Sequence, residues 1–290
     1  MTAVRDLAVD ESRIKKIVRS GLPLTITTFT LPHEDEVYIE QVLTIFLKEV
    51  GHEKLKDYIV YCVRELAVNA KKANTKRVYF REQGLDISDP DDYYIGMAGF
   101  KENTLNNIAR YLQKQKAQGL YVKVILQIKN NIINVEVRNN AVMTKPELAR
   151  IQDKLARSRQ YLSLEDALSQ VLDDSEGAGL GLVILVLMLK KMGLGEDSFD
   201  ILGADKETVA RIVIPWSRPG LTASRNSFPA DSGGRIGGNK SLGCSSALLV
   251  TNAFYGGGED VLHFFAGFKV AVKFKFGDDL RFVHYFKPVP

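Results

Sequence analysis

From Lys54 to Asn74 the apolar residues Ile59, Cys62, Val63, Leu66, Ala70 and Ala73 recur at intervals of three and four, which predicts a long amphipathic helix with one buried stripe. Glu65, Asn69 and Lys72 stand off that stripe at i, i+4 and i+7, so they fall on one line of a rigid rod. A glutamate, an amide and a lysine aligned in this way suit a metal–nucleotide site. The Asn oxygen is a fitting ligand for a hard cation such as Mg²⁺, the lysine can meet phosphates, and the glutamate can orient or deprotonate an attacking group. A helix whose polar flank is simply solvated carries the same spacing.

A second segment, Glu176-Gly177-Ala178-Gly179-Leu180-Gly181-Leu182, runs straight into an apolar helical stretch from Val183 to Met192. Glycines at a helix start leave backbone N–H groups open to an anion, and the helix dipole adds a favourable field. A dinucleotide-binding fold needs a hydrophobic strand before such glycines, whereas Asp166 to Ser175 is polar. A P-loop needs a following Gly-Lys-Ser/Thr, which is missing here. A flexible linker leading into a buried helix is the plainer reading of the same residues.

In this order the two segments resemble the N box and the G2 box of the histidine-kinase-like ATPases, the group of histidine kinases, anti-sigma kinases, gyrase-type ATPases and Hsp90 chaperones. The resemblance spans residues 22–215. It implies an α+β fold, a two-layer α/β sandwich of the Bergerat ATP-binding type, with ATP and Mg²⁺ as ligands. Carried over by position, Glu65 resembles the catalytic or water-orienting glutamate, Asn69 the Mg²⁺ ligand and Lys72 the basic residue that touches phosphate. Gly177, Gly179 and Gly181, followed by Leu182, resemble the loop that closes over the phosphates.

The family's aspartate-glycine motif is degraded in this chain. The corresponding piece runs from Ile132 to Met143, with Asn139 where the adenine-reading Asp stands and Ala141 and Met143 in place of glycines. An Asn oxygen still accepts a hydrogen bond from an adenine amino group, but its orientation must be set by neighbours. Charge-assisted hydrogen bonds are roughly twice as strong as neutral ones, so weaker or less selective nucleotide binding is expected. Asn139-Asn140 also reads as a plain turn after a strand.

The other elements follow the same layout. Leu24 to Thr30 alternates as a strand, Glu34 to Val50 is amphipathic, and Gly51-His52 breaks the chain before the Glu65 helix. Lys101 to Gln118 is helical, Tyr121 to Ile128 and Ile132 to Val137 form a hairpin around Lys129-Asn130-Asn131, and Ser198 to Leu202 and Thr208 to Ile214 form another. This opening is most similar to the anti-sigma kinase branch. The segment before Leu24 is too short to supply the helical hairpin of a sensor kinase, and His33 and His52 read as surface histidines.

Three stretches have no counterpart in a minimal domain of this kind. Residues 81–119 form an insertion, acidic at Asp86 to Asp92, that reads equally as a partner-binding element or a tolerated excursion. Residues 144–176 take the place of the ATP lid, where Arg157 and Arg159 are placed to reach a γ-phosphate. The third follows the domain, which residues 1–21 precede as an N-terminal extension. Residues 216–290 are a Gly- and Ser-rich linker with a C-terminal appendage, in which Phe268 to Phe276 and Leu280 to Phe286 alternate as a β-hairpin.

A net charge of +4 with both signs interspersed does not by itself imply nucleic acid. No secretory h-region is present near Met1, and the run Leu180 to Leu189 falls short of the ~20 residues needed to cross a bilayer, so a cytoplasmic protein without a membrane span is expected. Two cysteines, Cys62 and Cys244, suggest neither a disulfide framework nor a zinc site. The expected function is ATP-dependent phosphorylation of a separate protein in signal transduction. The alternative is an ATP/ADP-gated module that sequesters a regulator with little or no catalysis; either reading allows a homodimer. A gyrase- or Hsp90-like motor would need a transducer domain that the tail is too short to provide.

Overall fold

The computed structural model describes residues 9–161, 163, 167, 180–216, 270–276 and 279–285. The elements run α1 (Glu11–Ser20), β1 (Leu24–Thr28), α2 (His33–Glu49), a short 3-10 turn (Glu53–Leu55), α3 (Lys56–Gln83), α4 (Pro90–Asn106) and α5 (Ile108–Ala117). Then come β2 (Val122–Lys129), β3 (Ile132–Asn139), α6 (Lys145–Gln160), α7 (Leu180–Lys191), a 3-10 turn (Glu196–Ser198), β4 (Phe199–Ala204) and β5 (Glu207–Pro215). The fold is α+β. Strands β1 to β5 form one antiparallel sheet in the order β1-β2-β3-β5-β4.

Alternation along the strands decides which face is buried. Val124 and Leu126 on β2 register with Val137 and Val135 on β3, and these with Ala210 and Ile212 on β5, while Val122 faces Asn139; all are buried. Against this face lies α3, with Ile59, Cys62, Val63, Leu66 and Ala70 buried along the expected stripe. The other face carries Lys123, Glu136, Arg138, Glu207 and Arg211. Arg138 bonds Glu136 at 2.6 Å and Glu207 at 3.2 Å. Partly exposed pairs of this kind contribute at most about 1 kcal/mol each. Both hairpins use left-handed turn residues as the alternation requires, Asn130 and Asn131 at φ 54° and 59°, and Asp205 at φ 51°.

Three features go beyond the sequence expectation. Helix α3 does not stop at Asn74 but runs on to Gln83, 28 residues in all from Lys56, where Gly84 ends it at φ 68°. Its added turns supply Val78, Tyr79 and Phe80 to a second core with Tyr93 of α4 and Tyr111 of α5. Residues 81–119 are therefore packed helices, α4 being capped by Asp89, whose Oδ1 accepts from the Asp91 and Asp92 amides at 3.0 Å. The extension also contains α1, capped by Asp10 and ended by Gly21 at φ 69°, which packs on α2 through the buried Ile14 and Val18.

The β1–α2 connection holds Leu31 in the left-handed region at φ 48° although it is no glycine. Thr28 secures it: its hydroxyl accepts the Leu31 N–H at 2.9 Å and donates to Asp35 at 2.5 Å. Thr28→Val removes both bonds at a buried position, and a loss of about 1–2 kcal/mol in urea unfolding is expected, while a loss within experimental error would show the loop holds itself.

The chain divides into two compact units. The second, containing the C-terminal region, holds an antiparallel hairpin of β6 (Val270–Phe276) and β7 (Asp279–Tyr285), with Val270 opposite Tyr285 and Phe276 opposite Asp279. Among the described residues no helix is long and apolar enough to cross a membrane.

Candidate functional site

Helix α7 crosses α3 at the first turn of the former. There the carboxylate of Glu65 fills the space that a side chain at position 181 would occupy, so only glycine allows this approach. The remainder of α7 is nearly all apolar, with Leu182, Val183, Leu185 and Leu189 buried, and it seats that first turn firmly. The side chain of Leu182 thus belongs to the core, and only its backbone is placed to serve a ligand. Gly177 and Gly179 lie outside the described residues.

Glu65 accepts a hydrogen bond from Asn69 Nδ2 at 2.9 Å. An ionised carboxylate is acceptor-only, so Asn69 must present its NH₂ group to Glu65 and turn its oxygen away. Among the described residues no donor meets that oxygen. Lys72, one turn further on, is held below the ordinary lysine range by burial, which the charge of Glu65 partly offsets. The structure therefore brings Glu65, Asn69, Lys72 and Gly181 to one place. Cys62, on the sheet-facing side, is fully buried and its thiol is pushed up by that burial, so it takes no part in chemistry here.

Asn139 ends β3, buried at 3% exposure, and meets α3 around the helix from the Glu65 line. Its Nδ2 donates to Asn74 Oδ1 at 3.1 Å, and Asn74 Nδ2 donates to the Tyr121 carbonyl at 3.0 Å. Asn140 turns outward and braces the same strand, accepting the Tyr121 N–H at 2.7 Å and donating to the Gly119 carbonyl at 3.0 Å. Ala141 is buried, its carbonyl taken by the Thr208 hydroxyl at 2.7 Å.

A second charged cluster was not anticipated. The capping-box residues Thr144 and Glu147 open α6, and Glu147 reaches back to α3, bonding Lys76 at 3.1 Å and Arg77 at 2.5 and 3.0 Å. Tyr93 of α4 lies between two cations, Lys76 at 5.5 Å and Arg150 at 5.3 Å from its ring centroid. Burial alone would raise the Glu147 carboxyl, but the Arg77 hydrogen bonds and the charges of Lys76 and Arg77 bring it to about 2. Two signals in the chain mark this cluster: Thr144-Lys-Pro-Glu147 has capping-box spacing, and Lys76 extends the Glu65–Asn69–Lys72 line by one more turn. Arg157 and Arg159, which the sequence puts within reach of a γ-phosphate, pair with Asp153 at 2.9 Å and Glu196 at 3.4 Å.

A groove between α2 and α3, lined by Leu31, Val37, Leu43, Val60, Val63 and Ala67, lies on the flank of α3 away from the Glu65 line. His52 is 3.4 Å from the Pro215 carbonyl, and Trp216 donates to the Val50 carbonyl at 3.0 Å, which together tie the end of β5 to the break before α3.

No protein-family model matches the chain, and no solved structure matches it. It is similar to a protein of Treponema pallidum (strain Nichols) that is described only as uncharacterized, with 51% identity over 209 residues, 72% of this chain and 41% of that protein. The chain thus spans about two fifths of the length of that relative.

Proposed function

We propose that residues 22–215 form a nucleotide-binding domain of the histidine-kinase-like ATPase type, with a Bergerat-type sheet, that uses ATP and Mg²⁺ to phosphorylate a separate protein in signal transduction. The observation that carries this reading is the Asn69 amide, whose oxygen is turned outward by its bond to Glu65, beside Lys72 and the first turn of α7. Oxygen donors of this kind fit Mg²⁺, which prefers few protein ligands and keeps waters and phosphates for the rest. ATP would supply the phosphoryl group. On the protein side, Lys72 and the α7 amides neutralise phosphate charge, while Glu65 takes the proton of the attacking group. Positioning and electrostatics then carry the chemistry.

A second reading, a nucleotide-gated module that captures a regulator without much turnover, is favoured by one residue. Asn139 offers a neutral amide where a carboxylate would bind the base more strongly.

Titration of Mg·ATP and Mg·ADP into the protein by calorimetry tests the site common to both readings. Binding that weakens about tenfold or more without Mg²⁺, with most of that difference gone in Asn69→Ala, is expected. Absence of binding at millimolar nucleotide, or an Asn69→Ala variant that binds as the native protein does, removes the proposal.

A further inference from the structure

We infer that the groove between α2 and α3 is a docking site for an amphipathic helix of a partner protein, one that brings an apolar stripe and a lysine or arginine to face Glu40. The site is independent of the nucleotide reading, since it lies on the flank of α3 away from the Glu65 line.

The groove has a volume of about 450 Å³. Glu36, Val37 and Glu40 come to it from α2, and Val60, Val63, Arg64 and Ala67 from α3, which is the i, i+3, i+4 and i+7 spacing of one helical stripe. From Val60 to Ala67 that stripe runs roughly 10 Å, about two turns. Val37 is 40% exposed, so apolar surface stays open to water between two packed helices.

Leu31 closes one end from the left-handed region, at φ 48°, and both of its main-chain groups are held by side chains. The Thr28 hydroxyl accepts its N–H at 2.9 Å, and Lys71 Nζ donates to its carbonyl at 3.3 Å. A non-glycine residue keeps such an angle only where its surroundings hold it, and residues held in this way cluster at ligand sites. The groove is therefore formed before a partner arrives, and binding does not have to order it.

Both walls are helices whose backbone groups bond within their own turns, so no strand edge is open here to pair with an extended segment. A helix brings its backbone already satisfied and lays its apolar face into such a groove. Charge sets its polar flank. Arg64 bonds Glu36 at 3.0 and 3.1 Å, whereas Glu40, one turn along α2, meets no cation among the described residues. The rim thus carries an unbalanced carboxylate, which a lysine or arginine of the partner complements.

The test measures binding of two peptides of about 15 residues to the full chain by fluorescence anisotropy. Both carry leucine at i, i+3, i+4 and i+7 of a helix; one has lysine beside that stripe and the other glutamate. The lysine peptide is expected to bind at least about tenfold more tightly, although a chain of net charge +4 would as a whole favour the acidic one. Val37→Asn should weaken both peptides about tenfold by removing part of the apolar wall. Glu40→Lys should reverse the preference, while Glu102→Lys on α4, the same charge change outside the groove, should leave it in place. Val37 and Glu40 are both exposed, so their variants keep the fold. Equal affinity for the two peptides, a preference that survives Glu40→Lys, or no binding at roughly millimolar peptide overturns the inference. So does a dimer of the native chain that Val37→Asn dissociates in sedimentation, which would give the groove to a second copy. No nucleotide is present in these measurements, so their failure leaves the ATP site standing.

Discussion

Glu147→Gln will cost the protein about 3–5 kcal/mol of stability, the range for removing one partner of a buried ion pair. The Glu147 side chain is 8% exposed, and its partners Lys76 and Arg77 are 16% and 13% exposed. Glutamine keeps the shape and can still accept the Thr144 N–H, so the cap largely survives. What it removes is the negative charge, which leaves two nearly buried cations facing a neutral amide. Single domains have about 5–15 kcal/mol in total, so this one charge is a large fraction of the whole. The cost should read as a lower urea midpoint with an unchanged slope. Replacing Glu147, Lys76 and Arg77 together by apolar residues of similar size should cost far less, because no charge is then stranded. A Glu147→Gln loss below about 1 kcal/mol would mean the cluster is solvated and the helix is held by packing alone.

The same carboxylate makes stability depend on pH with a defined sign. Its folded value is about 2 against an ordinary 4.5, so the folded state favours the ionised form. The contribution is fully present above about pH 4.5 and fades as the pH falls toward 2, amounting to about 3 kcal/mol at 1.36 kcal/mol for each unit. Between about pH 5 and 3 the native protein should lose stability more steeply than Glu147→Gln.

What the sequence makes legible here is whatever depends on local period. The two hairpins follow from alternation and from Asn-Asn and Asp-Lys turns, and the Glu65–Asn69–Lys72 line follows from 3.6 residues per turn. The antiparallel sheet of five strands with α3 against it agrees with the α+β expectation. Less legible is whatever needs a distant partner. Val78-Tyr79-Phe80 has no single apolar face, and its burial on both sides requires α4 and α5. Gly96 is unremarkable as a letter, yet a side chain there would strike the Phe80 ring. Asn74 sits among apolar positions as an apparent defect until β3 brings Asn139 to it across 65 residues. Glu147 looks like a capping residue alone, because its cations lie 70 and 71 residues earlier. Helix α1 has only Ile14 and Val18 as buried anchors, too few to announce a stripe.

Gly181→Ala should leave the protein folded and, on the proposed kinase reading, remove the phosphoryl transfer proposed for it. The added methyl would overlap the Glu65 carboxylate, and the two cannot share the space. Since a carboxylate is the far end of a flexible side chain, it is the group that yields, and the stability cost should stay near 1–2 kcal/mol. Turned aside, Glu65 loses its bond to Asn69 and its place beside the first turn of α7. Removing a positioned general base lowers rates by about 10²–10⁴-fold, so ATP-dependent phosphotransfer should fall by that amount with Mg·ATP affinity changed only a few fold. Glu65→Gln should show the same loss for a different reason, the missing charge. Two substitutions that disable one group do not add, so the combination should be no slower than either alone. Additive losses would mean that Gly181 acts by another route, such as backbone approach to phosphate. A gated binding module gives a third pattern: nucleotide-dependent partner capture that survives Glu65→Gln intact, with no turnover to lose in the native protein.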